Sequence, residues 1–458
     1  MTEGEEYLSW YKKPEPYTTV SEKPTEAGGK KAAPWCDYTY SEWEIYEKQK
    51  IPDWYWNFKP PEWSEEEQVI MERIMLKIQE NIAKEKMTPL DRYWATAYGV
   101  ERDRCPVMAG NYALATNSPR LLDSYGVILK GVDFHRYPKL HILGTTMAVA
   151  RFATDIIFTH KITYSEAEWG GHVYLKETSA PVCRSAGAME TGFKVPFLPY
   201  RTAPFLSHKI PEADYGAYAH QLWEIRTIKE YLRKAGLWGV MPLMTNTCVG
   251  PIGTAGAAIG PTLGIRERAI MYKRNPEWYH MCMREALRFC IRHHRAVRDA
   301  GTDIMFFCDG LNTMSTEMTA DLIPYHVDLC KQVHWPPGGT CITGGDFRRH
   351  VDIILQAHGK YAYSVGSDHV WPIQDALKTA LQYDKMWFDF PDWDKIKAAK
   401  LEDISAYEKE RFKIACQDPK SKYWNPGPAD YWIPMENYQA WAEASKKYGS
   451  YPNGWEQP

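Results

Sequence analysis

No stretch of this 458-residue chain reads as a membrane span. The best apolar run, His141 to Phe158, is broken by Arg151 and Asp155 and cannot supply the ~20 clean apolar residues a span requires. An excess of charge is also missing. Lys and Arg number 55 against 58 Asp and Glu, a net charge of −3, which excludes nucleic acid or an anionic membrane as a partner held by bulk charge. The ten cysteines, from Cys36 to Cys416, include no CxxC pair, and the opening MTEGEEYLSW has neither a basic nor an apolar leader region. These absences predict a reducing, cytoplasmic setting. No G-x-S-x-G elbow or H-E-x-x-H helix occurs, so neither hydrolase signature applies.

Aromatic residues are abundant, at 14% of the chain with 19 Trp and 30 Tyr. Many stand in the aperiodic opening (PWCDYTYSEWEIYEKQKIPDWYWNFKPPEW) and again after about residue 395 (YWNPGPADYWIPMENYQAW). Rings on irregular backbone predict two wrapping arms that cover a main domain or a neighbouring subunit, because each ring removes a large apolar area from water. Ser64 to Glu67 is an S-x-x-E capping box, and Ile70, Ile74, Ile78 and Ile82 then recur every four residues, predicting a helix packed along its Ile stripe. From Cys105 onward short apolar runs (CPVMAG, DIIFTH, GVMPLMTNTC, DIMFFCDG, GGTCITGG, YAYSVGSD) alternate with helical segments such as Pro276 to Ala300 and Thr319 to His334. Such alternation implies βαβ crossovers and a parallel sheet. The predicted fold is α/β, a (β/α)8 TIM barrel with aromatic-rich N- and C-terminal extensions; a doubly wound sheet is the runner-up. The expected division is an arm and helix over 1–88, the barrel over 89–395, and an extension over 396–458 that packs on it.

Chemistry in a parallel barrel sits where each strand stops. Those positions give Asn111 and Tyr112, His160, Asn246 and Cys248, Asp309 and Asn312, Asp346 beside Gly344 and Gly345, then Asp368 and His369. Acids and imidazoles converging there suit general acid and base work or a metal, although an aspartate that merely caps the next helix is the plainer alternative. His326, Cys330 and His334 lie four apart and share one helical face, as a ligand set would, but a crossover helix turns that face to packing. The basic RHHRAVRD, 292–299, reads as a solvated surface face. The glycine-rich GPIGTAGAAIG, 250–260, fits neither dinucleotide nor P-loop spacing, and its glycines predict a close backbone approach over a ligand or neighbouring loop.

Several segments together resemble the uroporphyrinogen decarboxylase superfamily: DIIFTHKI followed by an aromatic-Gly-Gly-x-V turn, a Gly-Pro-x-x-x-Ala loop from Gly250 to Ala255, NPEWYHMCMREALRFCIRHHRAVRDAGTDIMFFCDGLNTMS, Pro324-Tyr325, and GGD at 344–346. The resemblance covers roughly residues 90–395 and implies a TIM barrel. It also implies one of two chemistries: cofactor-free decarboxylation of a tetrapyrrole, or methyl transfer between corrinoid proteins and thiols at zinc. The sequence departs from both. His160 stands where the decarboxylases have their catalytic aspartate, and Pro106 to Ser118 carries no Arg or Lys to hold substrate carboxylates. Ile342 and Gly344 stand where the methyltransferases have their His-x-Cys zinc motif.

The resemblance and these departures lead to a methyltransferase of demethylase type, moving a one-carbon group between a small organic substrate and a corrinoid (cobalamin) carried on a partner protein. His160 or Asp309 is expected as general acid and His369 as orienting or second acid/base group. Asn111, Tyr112, Asn246, Asn312, Asp346 and Asp368 are expected to bind substrate. A zinc ion held by a different set, His160, Cys248, Asp309 and His369, is the minority alternative. A cofactor-independent decarboxylase of a small carboxylate and a barrel that only binds are the other readings. A homo-oligomer is expected.

Overall fold

Ser64 and Glu67 close the reciprocal cap that the sequence predicts: Ser64 N–H donates to Glu67 Oε2 at 2.7 Å and Glu67 N–H to Ser64 Oγ at 3.2 Å. They open α1 (Glu65–Ile82) in the computed structural model of the chain, with three glutamates in its first turn favoured by the helix dipole. The described residues are 58–108, 138–159, 171–174, 182–185, 216–246, 250–259, 265–308, 314–334, 340–343, 348–367, 371–427 and 433–457. Ile70, Ile74 and Ile78 are buried along one stripe. Phe58 and Trp63 lie on the helix that includes His220, Trp223 and Tyr231. Residues 1–57 of the N-terminal arm lie outside the described residues.

Helix α2 (Pro89–Tyr98) starts on a Thr88 cap with Pro89 in its first turn and stops at Gly99, whose φ of 64° suits glycine. Then come β1 (Val107–Met108), α3 (Pro138–Phe152), β2 (Ile157–Thr159) and the hairpin of β3 (Gly171–Tyr174) and β4 (Val182–Ser185). Helix α4 (Gly216–Lys234) leads to β5 (Leu243–Asn246), and α5 (Pro251–Ile259), α6 (Ile265–Arg274) and α7 (Pro276–Asp299) lead to β6 (Ile304–Cys308). Helix α8 (Thr316–Leu329) runs into a π-helical turn, Cys330–His334, before β7 (Thr340–Thr343). The chain continues through α9 (Val351–His358), β8 (Ser364–Ser367), α10 (Ile373–Gln382) and β9 (Met386–Asp389), then α11 (Trp393–Ala398), α12 (Leu401–Ala415), β10 (Tyr423–Pro426) and α13 (Met435–Tyr448).

Among the described residues, all strands but the hairpin join one sheet of eight, in the order β1-β10-β9-β8-β7-β6-β5-β2, and every pairing in it is parallel. The sheet is strongly curled. Two strands separate β6 from β9, a span of about 14 Å on a flat sheet, yet the Phe306 and Phe388 rings approach to 5.9 Å. Phe158 of β2 touches Phe306 at 5.8 Å and Trp424 of β10 touches Phe388 at 4.7 Å, so rings from four strands fill the inside of the curl. Gly366 is required in β8 because a Cβ there would collide with the Phe388 carbonyl and ring.

Strand β10 lies beyond residue 395, where the sequence places the end of the sheet-forming domain; it stands between β9 and β1 and supplies an integral strand. Two other expectations are corrected. Residues 251–259 form a helix against α7, where the sequence suggests a loop over a ligand, and Thr254 Oγ1 meets Cys290 Sγ at 3.3 Å. Small residues there let two helices approach closely. In RHHRAVRD, His293 and His294 are fully buried and only Arg295, Arg298 and Asp299 are exposed, because a 24-residue amphipathic helix turns every third or fourth residue to the core.

Where the sheet's first and last strands meet, two arginines share one carboxylate. Asp155 accepts from Arg104 at 2.6 and 2.8 Å, from Arg92 at 2.5 Å and from Val107 N–H at 2.8 Å, while its own N–H donates to the Val107 carbonyl at 2.8 Å. Arg92 also holds Asp103, and Arg104 holds Glu85. A parallel bridge, Met108 to Ile156, adjoins this network. Burial opposes ionisation of Asp155, but Arg104 and Arg92 override it and hold the carboxyl below the usual range. Asp155→Asn leaves two buried guanidinium groups under-compensated and is expected to cost about 3–5 kcal/mol, read as a fall in urea midpoint. A loss below about 1 kcal/mol would show that the network is not central to the fold.

Candidate active site at the carboxyl ends of the strands

Because the eight strands are parallel, their carboxyl ends share one end of the sheet. β2 ends at Thr159, immediately before His160; β6 ends at Cys308, immediately before Asp309; β8 ends at Ser367, followed by Asp368 and His369. β5 ends at Asn246, two residues before Cys248, and β1 and β7 end three residues before Asn111 and Asp346. Asn246 is placed as the last residue of its strand. His160, Cys248, Asp309, His369, Asn111, Tyr112, Asn312, Asp346 and Asp368 lie outside the described residues.

The described surroundings of these ends hold a second group of ionisable side chains. Thr145 of α3 donates to the Phe158 carbonyl at 3.0 Å, which fixes the helix against β2. His141 stands one turn earlier, and α3 runs opposite to the strand, so His141 lies behind the carboxyl end of β2. Its Nδ1 is 4.0 Å from Glu224 Oε1 of α4, and its ring meets that of His220 edge-on at 5.7 Å. Phe58 and Trp223 pack on the far side of His220. Burial alone raises the Glu224 carboxyl to about 8 and lowers the His141 imidazole to about 4. Both are therefore neutral near pH 7: an acid that can donate a proton beside an imidazole that can accept one. Sequence reasoning missed this pair. The available signal was Glu224 standing inside the apolar stripe that runs through Leu222, Ile225, Ile228 and Leu232.

A third cluster involves His326 and Cys330. They come together with His358, all three buried. They lie at the amino end of the sheet, far from the strand ends considered above: the π-helical turn precedes β7 and His358 closes α9 ahead of β8. Elsewhere, buried Asp389 of β9 takes part in a structural tie, accepting from Tyr423 Oη at 2.8 Å and from Arg411 of α12 at 3.3 Å.

Neither a protein-family model nor a curated protein sequence matches the chain. Among solved structures it is similar to a methyltransferase from Methanosarcina mazei, at 15% identity and a TM-score of 0.62, with 79% of this chain and 99% of that one covered. This likeness extends over most of the chain and shows a shared fold. A B12-independent methionine synthase from Shewanella sp. W3-18-1 aligns at 11% identity and a TM-score of 0.41, over 75% of this chain and 97% of the other. A lyase/mutase from Burkholderia cenocepacia J2315 aligns at 9% and 0.31, over 78% and 84%. Those two superpose too loosely to carry an argument.

Glu224 gives a pH signature. In the folded protein it keeps its proton up to about pH 8, whereas the unfolded chain releases it near the ordinary 4.5. Between these values the folded state binds the extra proton, so this group lowers stability as pH rises through the window. Glu224→Gln retains the shape and removes the titration. Its urea midpoint relative to the parent protein is expected to climb between pH 5 and 8 and then level off. A difference independent of pH would show that Glu224 is ionised in the fold.

Proposed function

We propose that the chain is a (β/α)8-barrel methyltransferase of demethylase type, transferring a one-carbon group between a small organic substrate and a corrinoid on a partner protein. The observation that carries this reading is the single all-parallel sheet whose strands β2, β6 and β8 hand over directly to His160, to Asp309, and to Asp368 and His369. Parallel barrels place their chemistry at that end. The fold shared with a methyltransferase from Methanosarcina mazei supports the same reaction class. In this reading the sheet closes into a barrel, which the isolated Met108–Ile156 bridge supports, and the aromatic segments at either terminus cover it or form a subunit interface.

The corrinoid supplies the nucleophile that takes the methyl group. The protein's part is to hold the substrate and manage its proton. Cleaving a methyl–oxygen bond leaves an alkoxide or phenoxide, a poor leaving group unless a proton reaches that oxygen as the bond breaks. His160 or Asp309 supplies this proton, and His369 orients the donor or exchanges the proton with solvent. Asn111, Tyr112, Asn246, Asn312, Asp346 and Asp368 contact the substrate.

The test is methyl transfer from a panel of small O- and N-methyl compounds to reduced free cobalamin, followed by its visible spectrum. The intact protein is expected to methylate the corrinoid, and His160→Ala to do so at least ~100-fold more slowly. Turnover kept within a few-fold would remove His160 from its role. Corrinoid-independent CO2 release from a small carboxylate, with no methyl transfer, would replace this reading by a lyase.

A further inference from the structure

We propose that His326, Cys330 and His358 form a binding site for a thiophilic closed-shell metal ion, zinc(II) or copper(I), at the amino end of the sheet. This inference does not depend on the methyltransferase reading. One ligand atom from each residue lies within 4.8 Å of the other two, and all three residues are fully buried. Two imidazoles and a thiol form a donor set that favours these ions over oxygen-seeking ones.

Three features go beyond proximity. His358 Nδ1 is 2.5 Å from the Ile354 carbonyl, one turn back in α9. Donation of that N–H makes Nε2 the ring's lone-pair nitrogen, and Nε2 is buried with no hydrogen-bond partner. Histidine ligands are oriented in this way, by a backbone carbonyl on the far ring nitrogen. Second, Cys330 opens the π-helical turn Cys330–His334, a local widening of the helix that costs regular hydrogen bonding and is common at binding sites. Third, Lys385, just ahead of β9, is held beside the cluster by the backbone carbonyls of Gly359 and Ala362, to which its ammonium donates.

The rings of His326 and His358 meet edge-on, with centroids 4.7 Å apart. Ligand atoms around zinc stand about 3.3–3.8 Å from one another, given bonds of roughly 2.0 Å to nitrogen and 2.3 Å to sulfur. The three side chains therefore draw in by up to about an ångström on binding. The ion would tie together α8, α9 and the segments entering β7 and β8. At the opposite end from the strand ends assigned to catalysis, its role is to hold the fold.

Full-length protein, stripped with chelator and handled without oxygen, is titrated separately with zinc(II), copper(I) and, as a spectroscopic probe, cobalt(II). One equivalent of zinc or copper is expected per chain, the tighter of the two identifying the ion. Cobalt is expected to give a thiolate-to-metal charge-transfer band. Cys330→Ser should abolish that band and weaken binding by about 100-fold or more. His358→Gln should weaken it similarly, while Cys248→Ser, which alters a strand-end cysteine, leaves both unchanged. Melting of the unmutated protein gives a readout that needs no variant, the bound ion raising its midpoint. Absence of a thiolate band, or binding that survives Cys330→Ser and His358→Gln but is lost in Cys248→Ser, overturns the proposal.

Discussion

The sharing of Asp155 by Arg92 and Arg104 is the constraint on which the rest of the fold depends. β1 and β2 stand at opposite ends of the sheet's strand order, joined by the single Met108–Ile156 bridge, and β1 has only two residues with which to pair. Backbone hydrogen bonds cannot hold so short an edge alone. Asp155 supplements them by accepting from the Val107 amide with the same carboxylate that neutralises the arginines. Arg92 belongs to α2 and Arg104 to the segment entering β1, so one carboxylate fixes helix, strand and neighbouring strand together. Paired and hydrogen-bonded on every side, these buried charges are tolerated; with any member removed the others are left exposed to a low-dielectric interior.

The two ends of the sheet carry different kinds of ionisable group. At the carboxyl ends, the Glu224–His141 pair is kept neutral by burial, which leaves protons available for exchange. At the amino ends, the groups include the arginine–carboxylate cluster around Asp155 and a His–Cys–His set whose geometry suits fixed bonds. This division follows from strand direction. Helices returning from one end to the other deliver their C-terminal residues, His358 among them, to the amino ends of the next strands. The loops that leave the strands are free to vary without disturbing those ties.

Much of the sheet could be read directly from the chain. The apolar runs ending in MAG, FTH, TNTC, FFCDG, CITGG and SVGSD became β1, β2, β5, β6, β7 and β8, since four or five apolar residues bounded by polar or glycine residues are what a buried parallel strand requires. β9 and β10 were not legible. MWFD runs straight into FPDW, and YWNP contains an asparagine and a proline, so both merge with the aromatic C-terminal segment. Tertiary position makes them strands: Trp424 points into the curl with its Nε1 on Ser364, and Asn425 Nδ2 donates on the other face to Glu408 and Ser445. The strand-end rule nominated His160, Asp309 and His369, but it could not find Glu224 or the contact of His326 with His358. Those depend on which helix faces which, and local spacing does not encode that.

Strand β10 pairs with β1, and Val107 lies opposite Asn425. A polypeptide emerging from the ribosome amino end first therefore displays β1 with an open edge throughout synthesis of the intervening three hundred or so residues. Contacts of such long sequence separation form slowly, and an unpaired edge invites pairing with other chains. The salt-bridge cluster around Asp155 needs only residues up to that point, so it can shelter β1 on one side early. The other side must wait until the segment around Trp424 has been made.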